Sequence, residues 1–179
     1  ASLEAVLRER LDRLPQREQL VVKTASAIGH VFPDQMLVDI HPIDEDRPII
    51  HDALHHLQST DVLRAVEPPP GGEHAFKHVT MQQVAYGTLL FEQRRELHRR
   101  AATWYEERHD DLRPLLPLLA HHWIGAEDAA RAIDYLERAA EEALRTFSNR
   151  EAIGFLTEAQ AVAARAGIEV AGKQQARWE

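Results

Sequence analysis

The chain has 179 residues with a formal net charge of −8, 44% hydrophobic residues, 28% charged residues and no cysteine. This composition is typical of a folded globular protein, and it excludes an intrinsically disordered chain, a disulfide framework and a thiolate metal site. The acidic balance argues against a nucleic-acid binder, and because no apolar run approaches the roughly 20 residues of a membrane span, we expect a cytoplasmic protein with no nucleic-acid or membrane partner.

Apolar residues at helical spacing predict four helices in the first sixty residues. Ser2 is the expected N-cap of the first helix, and Pro15 opens the second. We expect the first helix to bury a stripe made of Leu3, Val6, Leu7, Leu11 and Leu14.

The period of the apolar residues then changes from that of a helix to that of a strand. Residues 62–66 alternate and are rich in β-branched side chains, and residues 74–78 can pair with them across the Pro- and Gly-rich turn at 67–73. Thr80 is the expected cap of the next helix. Helices followed by a two-stranded wing and a further helix predict a winged-helix-like domain at residues 1–90.

From residue 91 onward the sequence predicts helices only. The pattern Ala-Ile-x-Tyr-Leu-x-x-Ala at 132–139 recurs as Ala-Ile-x-Phe-Leu-x-x-Ala at 152–159, one helix and one turn later. Two such helices form an antiparallel hairpin with Ser148 capping the second, and the small alanines let the helices approach closely. The fold class predicted is therefore mainly α, with antiparallel hairpins similar to tetratricopeptide repeats at 91–179, followed by further repeats and open to a protein partner.

The segment from Phe76 to His98 reads F-x-H-x-x-x-x-x-V-A-Y-x-x-L-L-x-x-x-R-R-x-L-H. It resembles the segment after the nucleotide-binding core in STAND-type ATPases (signal-transduction ATPases with numerous domains, AAA- or NB-ARC-like). The resemblance is to those fused to class III adenylyl or guanylyl cyclases and to related bacterial transcription activators. It implies a longer parent protein, in which an upstream ATPase core binds ATP or ADP with magnesium and an output domain receives the signal.

His78 is the residue for which this resemblance implies a role. In NB-ARC-type members, a histidine at the end of the winged-helix hairpin contacts the β-phosphate of ADP and holds the closed state. Lys77 and Val79 stand where those members have Met and Asp. An imidazole N–H can donate to a phosphate oxygen. The alternative is a histidine that hydrogen-bonds across the wing and packs under the next helix.

A basic cluster follows on the next predicted helix, formed by Arg94, Arg95, Arg99 and Arg100. Glutamates lie along the same helix, and Glu96–Arg100 has the spacing of a favourable i,i+4 pair. This interleaving favours a solvated, salt-bridged face. The alternative is a docking surface for an acidic partner or nucleotide phosphates.

Other patterns with catalytic or metal-binding potential are incomplete. Gly167 to Lys173 matches G-x-x-x-x-G-K, but Gln174 stands where a Ser or Thr would bind magnesium and no strand is predicted before it. His51 and His55 lie one helical turn apart without a third ligand at motif spacing, and no nucleophile motif is present. We therefore expect no catalytic residue, no metal site and no cofactor within this chain.

These observations lead to two hypotheses about function. The first is a non-catalytic regulatory fragment of a STAND ATPase, which couples the nucleotide state of the ATPase core to an output domain. The second is the DNA-binding winged-helix region of a transcription regulator. Residues 1–90 carry 8 Lys and Arg against 13 Asp and Glu, which disfavours the second because phosphate contacts need a basic face.

Overall fold

The computed structural model describes residues 2–66 and 72–168, and this part of the chain is mainly α-helical with a small antiparallel sheet. Two short 3-10 segments, Asp44–Ile49 and Arg113–Leu115, precede helices. The elements in chain order are α1 (Leu3–Asp12), α2 (Gln16–Ile28), β1 (Val31–Pro33), α3 (Asp34–Ile40), α4 (Ile50–Ser59), β2 (Leu63–Ala65), β3 (Glu73–Phe76), α5 (Val79–Gly87), α6 (Phe91–Arg108), α7 (Leu116–Gly125), α8 (Ala129–Arg145) and α9 (Asn149–Ala166).

The sheet has three strands in the order β1-β3-β2, all antiparallel. The prediction of a two-stranded wing is therefore incomplete. A third strand, β1, pairs with the other edge of β3 and aligns Val31 with Ala75. A three-residue strand is too short to show a period in the sequence. With a neighbour on each side, β3 buries His74, Ala75 and Phe76 in succession, and the expected alternation of buried and exposed residues does not hold there.

Large side chains fill the core of the first compact unit, Ala1–Ala101. Phe32 and Phe76 are fully buried and meet edge to face, with ring centroids 6.0 Å apart. The expected stripe of α1 is only half correct: Leu7 is buried, whereas Leu3 remains 64% exposed. The other members of this core include Leu11, Val21, Met36, Leu37, Ile50, Leu54, Leu57, Leu63 and Met81.

The first part of α6 belongs to this unit. Leu97 packs with Leu89 and Ala27 in one apolar cluster. The Tyr86 hydroxyl lies 2.9 Å from Nε2 of the buried His98. The division into units therefore falls after Ala101, whereas the sequence analysis placed the domain boundary at 90–91, where α6 begins.

The second unit, Ala102–Glu179, contains the helical hairpin formed by α8 and α9. The four alanines of the sequence repeat are all buried, as predicted: Ala132, Ala139, Ala152 and Ala159 have at most 3% of their surface exposed. Side-chain capping differs from the expectation. Asp128 caps α8 through the backbone N–H of Arg131 at 3.1 Å, but Ser148, the N-cap residue of α9, makes no side-chain cap bond.

A single carboxylate links three helices of the second unit. Glu106 accepts hydrogen bonds from the Trp123 indole N–H at 2.9 Å and from the Tyr135 hydroxyl at 2.7 Å. Burial, with the hydrogen bond to Glu106 as the next cause, raises the pKa of Tyr135 to about 12. The tyrosine therefore remains a hydrogen-bond donor across the neutral pH range. The Arg131 guanidinium lies over the Trp123 ring, 4.3 Å from its centroid, which is the geometry of a cation–π contact.

Candidate functional site

His78 lies at the junction between β3 and α5. It is the N-cap residue of α5, so the helix begins at Val79, two residues earlier than a cap at Thr80 would allow. The His78 carbonyl accepts the N–H of Met81 at 3.0 Å, which orders the backbone at this position. The side chain is exposed, and within residues 2–66 and 72–168 it makes no hydrogen bond. This placement does not fit the alternative of a histidine packed under the helix.

Lys77, the charged residue next to His78, already forms an ion pair. The Lys77 ammonium hydrogen-bonds the Asp61 carboxylate, and this contact holds the pKa of Asp61 below its usual value. Asp61 has a left-handed backbone, with φ of 62°, at the turn between α4 and β2. The imidazole of His78 is thus exposed beside this ion pair, and its charge also acts on the Asp61 carboxylate.

His74 is the histidine that braces the sheet, and sequence reasoning missed it. Its Nδ1 lies 2.7 Å from Oδ1 of Asp34, and only 8% of the residue is exposed. The ring stacks near Phe32 with centroids 6.4 Å apart. Asp34 begins α3, forty positions before His74 in the chain. The sequence signal available for this contact was an Asp at a helix start, and that pattern usually indicates a local cap.

Gly72 completes this contact between α3 and β3. Its carbonyl accepts the Asp34 N–H at 3.1 Å, and its φ is 73°. A Cβ at this position would lie 2.7 Å from Oδ2 of Asp34. A side chain would therefore both strain the backbone and displace the carboxylate that holds His74.

Two of the four arginines of the basic cluster bridge to other elements. The Arg94 guanidinium lies 4.8 Å from the centroid of the Tyr86 ring and donates to the Gly87 carbonyl at 3.1 Å. Arg100 donates to Glu96 at 2.8 Å and to the Ile40 carbonyl at 3.4 Å. The expected Glu96–Arg100 pair is therefore confirmed.

The other two arginines pair along α6 itself. Arg95 lies 3.1 Å from Glu92, and Arg99 lies 3.1 Å from Glu96. All four guanidinium groups are thus engaged within the chain, which agrees with an interleaved, salt-bridged face. A docking role for this cluster stays a prediction.

The buried Asp46 lies at one wall of a groove of about 500 Å³ between α2 and the 3-10 segment Asp44–Ile49. Asp46 is 3% exposed and pairs with Arg17 at 3.2 Å, while Nε2 of the fully buried His41 lies 3.7 Å from the other carboxylate oxygen. Burial is the main cause that lowers the pKa of His41. This imidazole is therefore neutral in the folded chain at neutral pH.

The phosphate-loop-like pattern at 167–173 begins at the end of a helix. Gly167, with φ of 65°, follows α9 as its C-terminal glycine, and the N–H of Ile168 bonds the Ala163 carbonyl at 3.0 Å. This is a helix-terminating motif. Gly172 and Lys173 lie outside the described residues, as does most of the turn at 67–73.

The fold defines a mainly helical protein with one three-stranded sheet and one alanine-packed hairpin among its described residues. Comparisons of the chain with protein-family models, with curated proteins and with solved structures find no match. No helix in the described part of the chain is long and apolar enough to cross a membrane.

Proposed function

We propose that this chain is a non-catalytic regulatory part of a STAND-type ATPase, in which His78 senses the nucleotide held by an upstream ATPase core. The observation that carries the proposal is the exposed imidazole of His78 on the ordered backbone between β3 and α5. A phosphate-binding histidine must offer an N–H to a ligand outside its own unit. His78 meets that requirement, and the buried His74 does not.

The order of elements in the first unit supports the same proposal. The succession α2, β1, α3, α4, β2, β3 with the sheet order β1-β3-β2 matches the order that we expect of a winged helix. In the proposed parent protein this unit follows the ATPase core, and a regulatory helical region comparable to the second unit follows it. ATP or ADP with magnesium binds in the core, and the signal passes to the output domain.

The DNA-binding alternative requires a basic recognition helix. In a winged helix this role falls to α4, whose exposed side chains include His51, Asp52, His55 and Gln58 but no Lys or Arg. A helix with this surface offers no fixed positive charge to DNA phosphates. The regulatory proposal is therefore better supported.

The test is an ADP titration of the parent protein with and without His78→Ala. Losing one hydrogen bond to a charged phosphate costs about 1.5–3 kcal/mol, so ADP affinity falls roughly ten- to a hundredfold. ATP affinity changes less, and basal output rises because the closed state loses its ligand contact. Equal ADP affinity in both proteins overturns the sensing role.

A matched control variant distinguishes a nucleotide-sensing role of His78 from a structural one. In this chain alone, His78→Ala leaves the melting temperature within about 1 °C, because the side chain is exposed and makes no cap hydrogen bond at the start of α5. His74→Ala, four residues away, destabilises the chain by about 1–3 kcal/mol because it removes the buried partner of Asp34. Equal losses of stability in the two variants would mean that His78 is also a structural residue.

A further inference from the structure

Helix α4 carries two exposed histidines, His51 and His55, on its surface. Within residues 2–66 and 72–168, neither side chain makes a hydrogen bond or an ion pair. The neighbouring His56 differs from them, because its Nδ1 lies 2.8 Å from a carboxylate oxygen of Glu18. The helix therefore presents two imidazoles whose ring nitrogens are available to a ligand.

The spacing of His51 and His55 suits a chelate. Residues four apart on an α-helix lie about 40° apart around its axis and about 6 Å apart along it, so their side chains are neighbours. Helical side chains lean towards the N-terminus, which brings the ring at the later position towards the earlier one. The sequence at 51–55 reads H-D-A-L-H. Two histidines at this spacing on one helix face are the pair that binds zinc in helices with the H-E-x-x-H pattern.

The opposite face of α4 holds this helix in place. Ile50, Leu54 and Leu57 are at most 2% exposed and belong to the core of the first unit. A helix anchored in this way keeps the two imidazoles at a fixed spacing before an ion binds, which lowers the entropic cost of binding. Asp52 is also exposed and lies three residues before His55, so it places a carboxylate beside the pair and favours a cation there.

We propose that His51 and His55 bind a late first-row divalent cation, such as Cu²⁺, Ni²⁺ or Zn²⁺, as two adjacent ligands. Imidazole nitrogen suits these ions, whereas Mg²⁺ and Ca²⁺ prefer oxygen ligands. Two protein ligands leave the remaining coordination positions to water or to a donor from another molecule. The sequence-based expectation of no metal site rested on the missing third ligand, and an ion with open positions does not require one.

Titration calorimetry with Ni²⁺ at neutral pH tests the pair. Once one imidazole has bound the ion, the second binds it intramolecularly, so His51→Ala and His55→Ala should each weaken the affinity about tenfold or more. His56→Ala is the matched control, because it removes an imidazole of the same helix that is already paired with Glu18. This variant should stay within about twofold of the wild type. An equal loss in His56→Ala, or an unchanged affinity in the other two variants, overturns the proposal.

Paramagnetic broadening locates the ion. Substoichiometric Cu²⁺ should broaden the amide signals of α4 in the nitrogen-15 spectrum of the wild-type chain, but not in the double variant His51→Ala/His55→Ala. Both changes are at exposed positions and alanine favours a helix, so the variant keeps its fold. Histidines elsewhere are the same in both proteins, and Mg²⁺ should bind at α4 in neither. Sharp α4 signals in the wild type overturn the site, and broadening that persists in the double variant overturns its ligands.

Discussion

The core of the first unit and the hairpin of the second unit bury different kinds of side chain, although both are built largely from helices. The first unit closes around large groups such as Phe32, Phe76 and Met36, whereas the hairpin of the second unit closes over alanines such as Ala139 and Ala152. Truncating a large side chain leaves a cavity, and enlarging an alanine forces two helices apart. The core of the first unit and the α8–α9 contact should therefore be sensitive to opposite kinds of substitution.

The largest effect is expected from Phe76→Ala in the first unit. The fully buried ring packs against Phe32, and its loss should destabilise the chain by about 3–5 kcal/mol. Urea denaturation followed by circular dichroism measures the change. The control is Phe91→Ala, which removes the same atoms from a residue that is 57% exposed and should cost no more than about 0.5 kcal/mol. Similar losses in both variants would contradict a core built from large side chains.

Glu106→Ala tests the polar link between α6, α7 and α8 in the second unit. Without the carboxylate, the buried donors of Trp123 and Tyr135 lose their acceptor, at a cost of about 2–4 kcal/mol. Trp123 fluorescence during urea unfolding reports the change. Glu106→Gln keeps one acceptor oxygen and should recover at least half of the loss. If the glutamine and alanine variants are equally stable, the carboxylate does not hold these helices.

Ala139→Leu tests the close packing of α8 and α9. Because Ala139 is 3% exposed, the added carbon atoms should overpack the hairpin and cost about 1–3 kcal/mol. Ala152→Leu should behave in the same way. Ala130→Leu places the same side chain on an exposed position of α8 and should leave the melting temperature nearly unchanged. Unchanged stability in the two buried variants would remove the contrast between the alanine-packed hairpin and the core of the first unit.

The smallest effect concerns the pH dependence of the first unit. Burial lowers the pKa of His41 below its ordinary value of 6.5, so the unfolded chain binds the proton more readily than the folded one. The stabilising contribution of the neutral imidazole is present above pH 6.5 and is lost as the pH falls towards the folded-state pKa. In unfolding experiments, the stability difference between wild type and His41→Gln should shrink between pH 7.5 and 5.5. Parallel pH curves would contradict this assignment.

Local sequence signals predicted those features whose partners lie nearby in the chain. The hydroxyl of Ser2 accepts the N–H of Ala5 at 3.3 Å as a cap, and Glu96 pairs with Arg100, four positions away. The alanines of the repeat are buried because a periodic sequence places equivalent residues on equivalent helix faces. Such features need only helix geometry, which the sequence determines locally.

Features that depend on distant partners needed the tertiary structure. His74 and His78 are the same residue type four positions apart, yet one is buried against Asp34 and the other is exposed. The difference arises from β1, a three-residue strand that covers the second edge of β3. Sequence by itself determined the helices, the Ser2 cap and the alanine hairpin of this protein. Only the tertiary structure decided which histidine braces the sheet and which stays exposed, because burial depends on strands and helices that are far away in the chain.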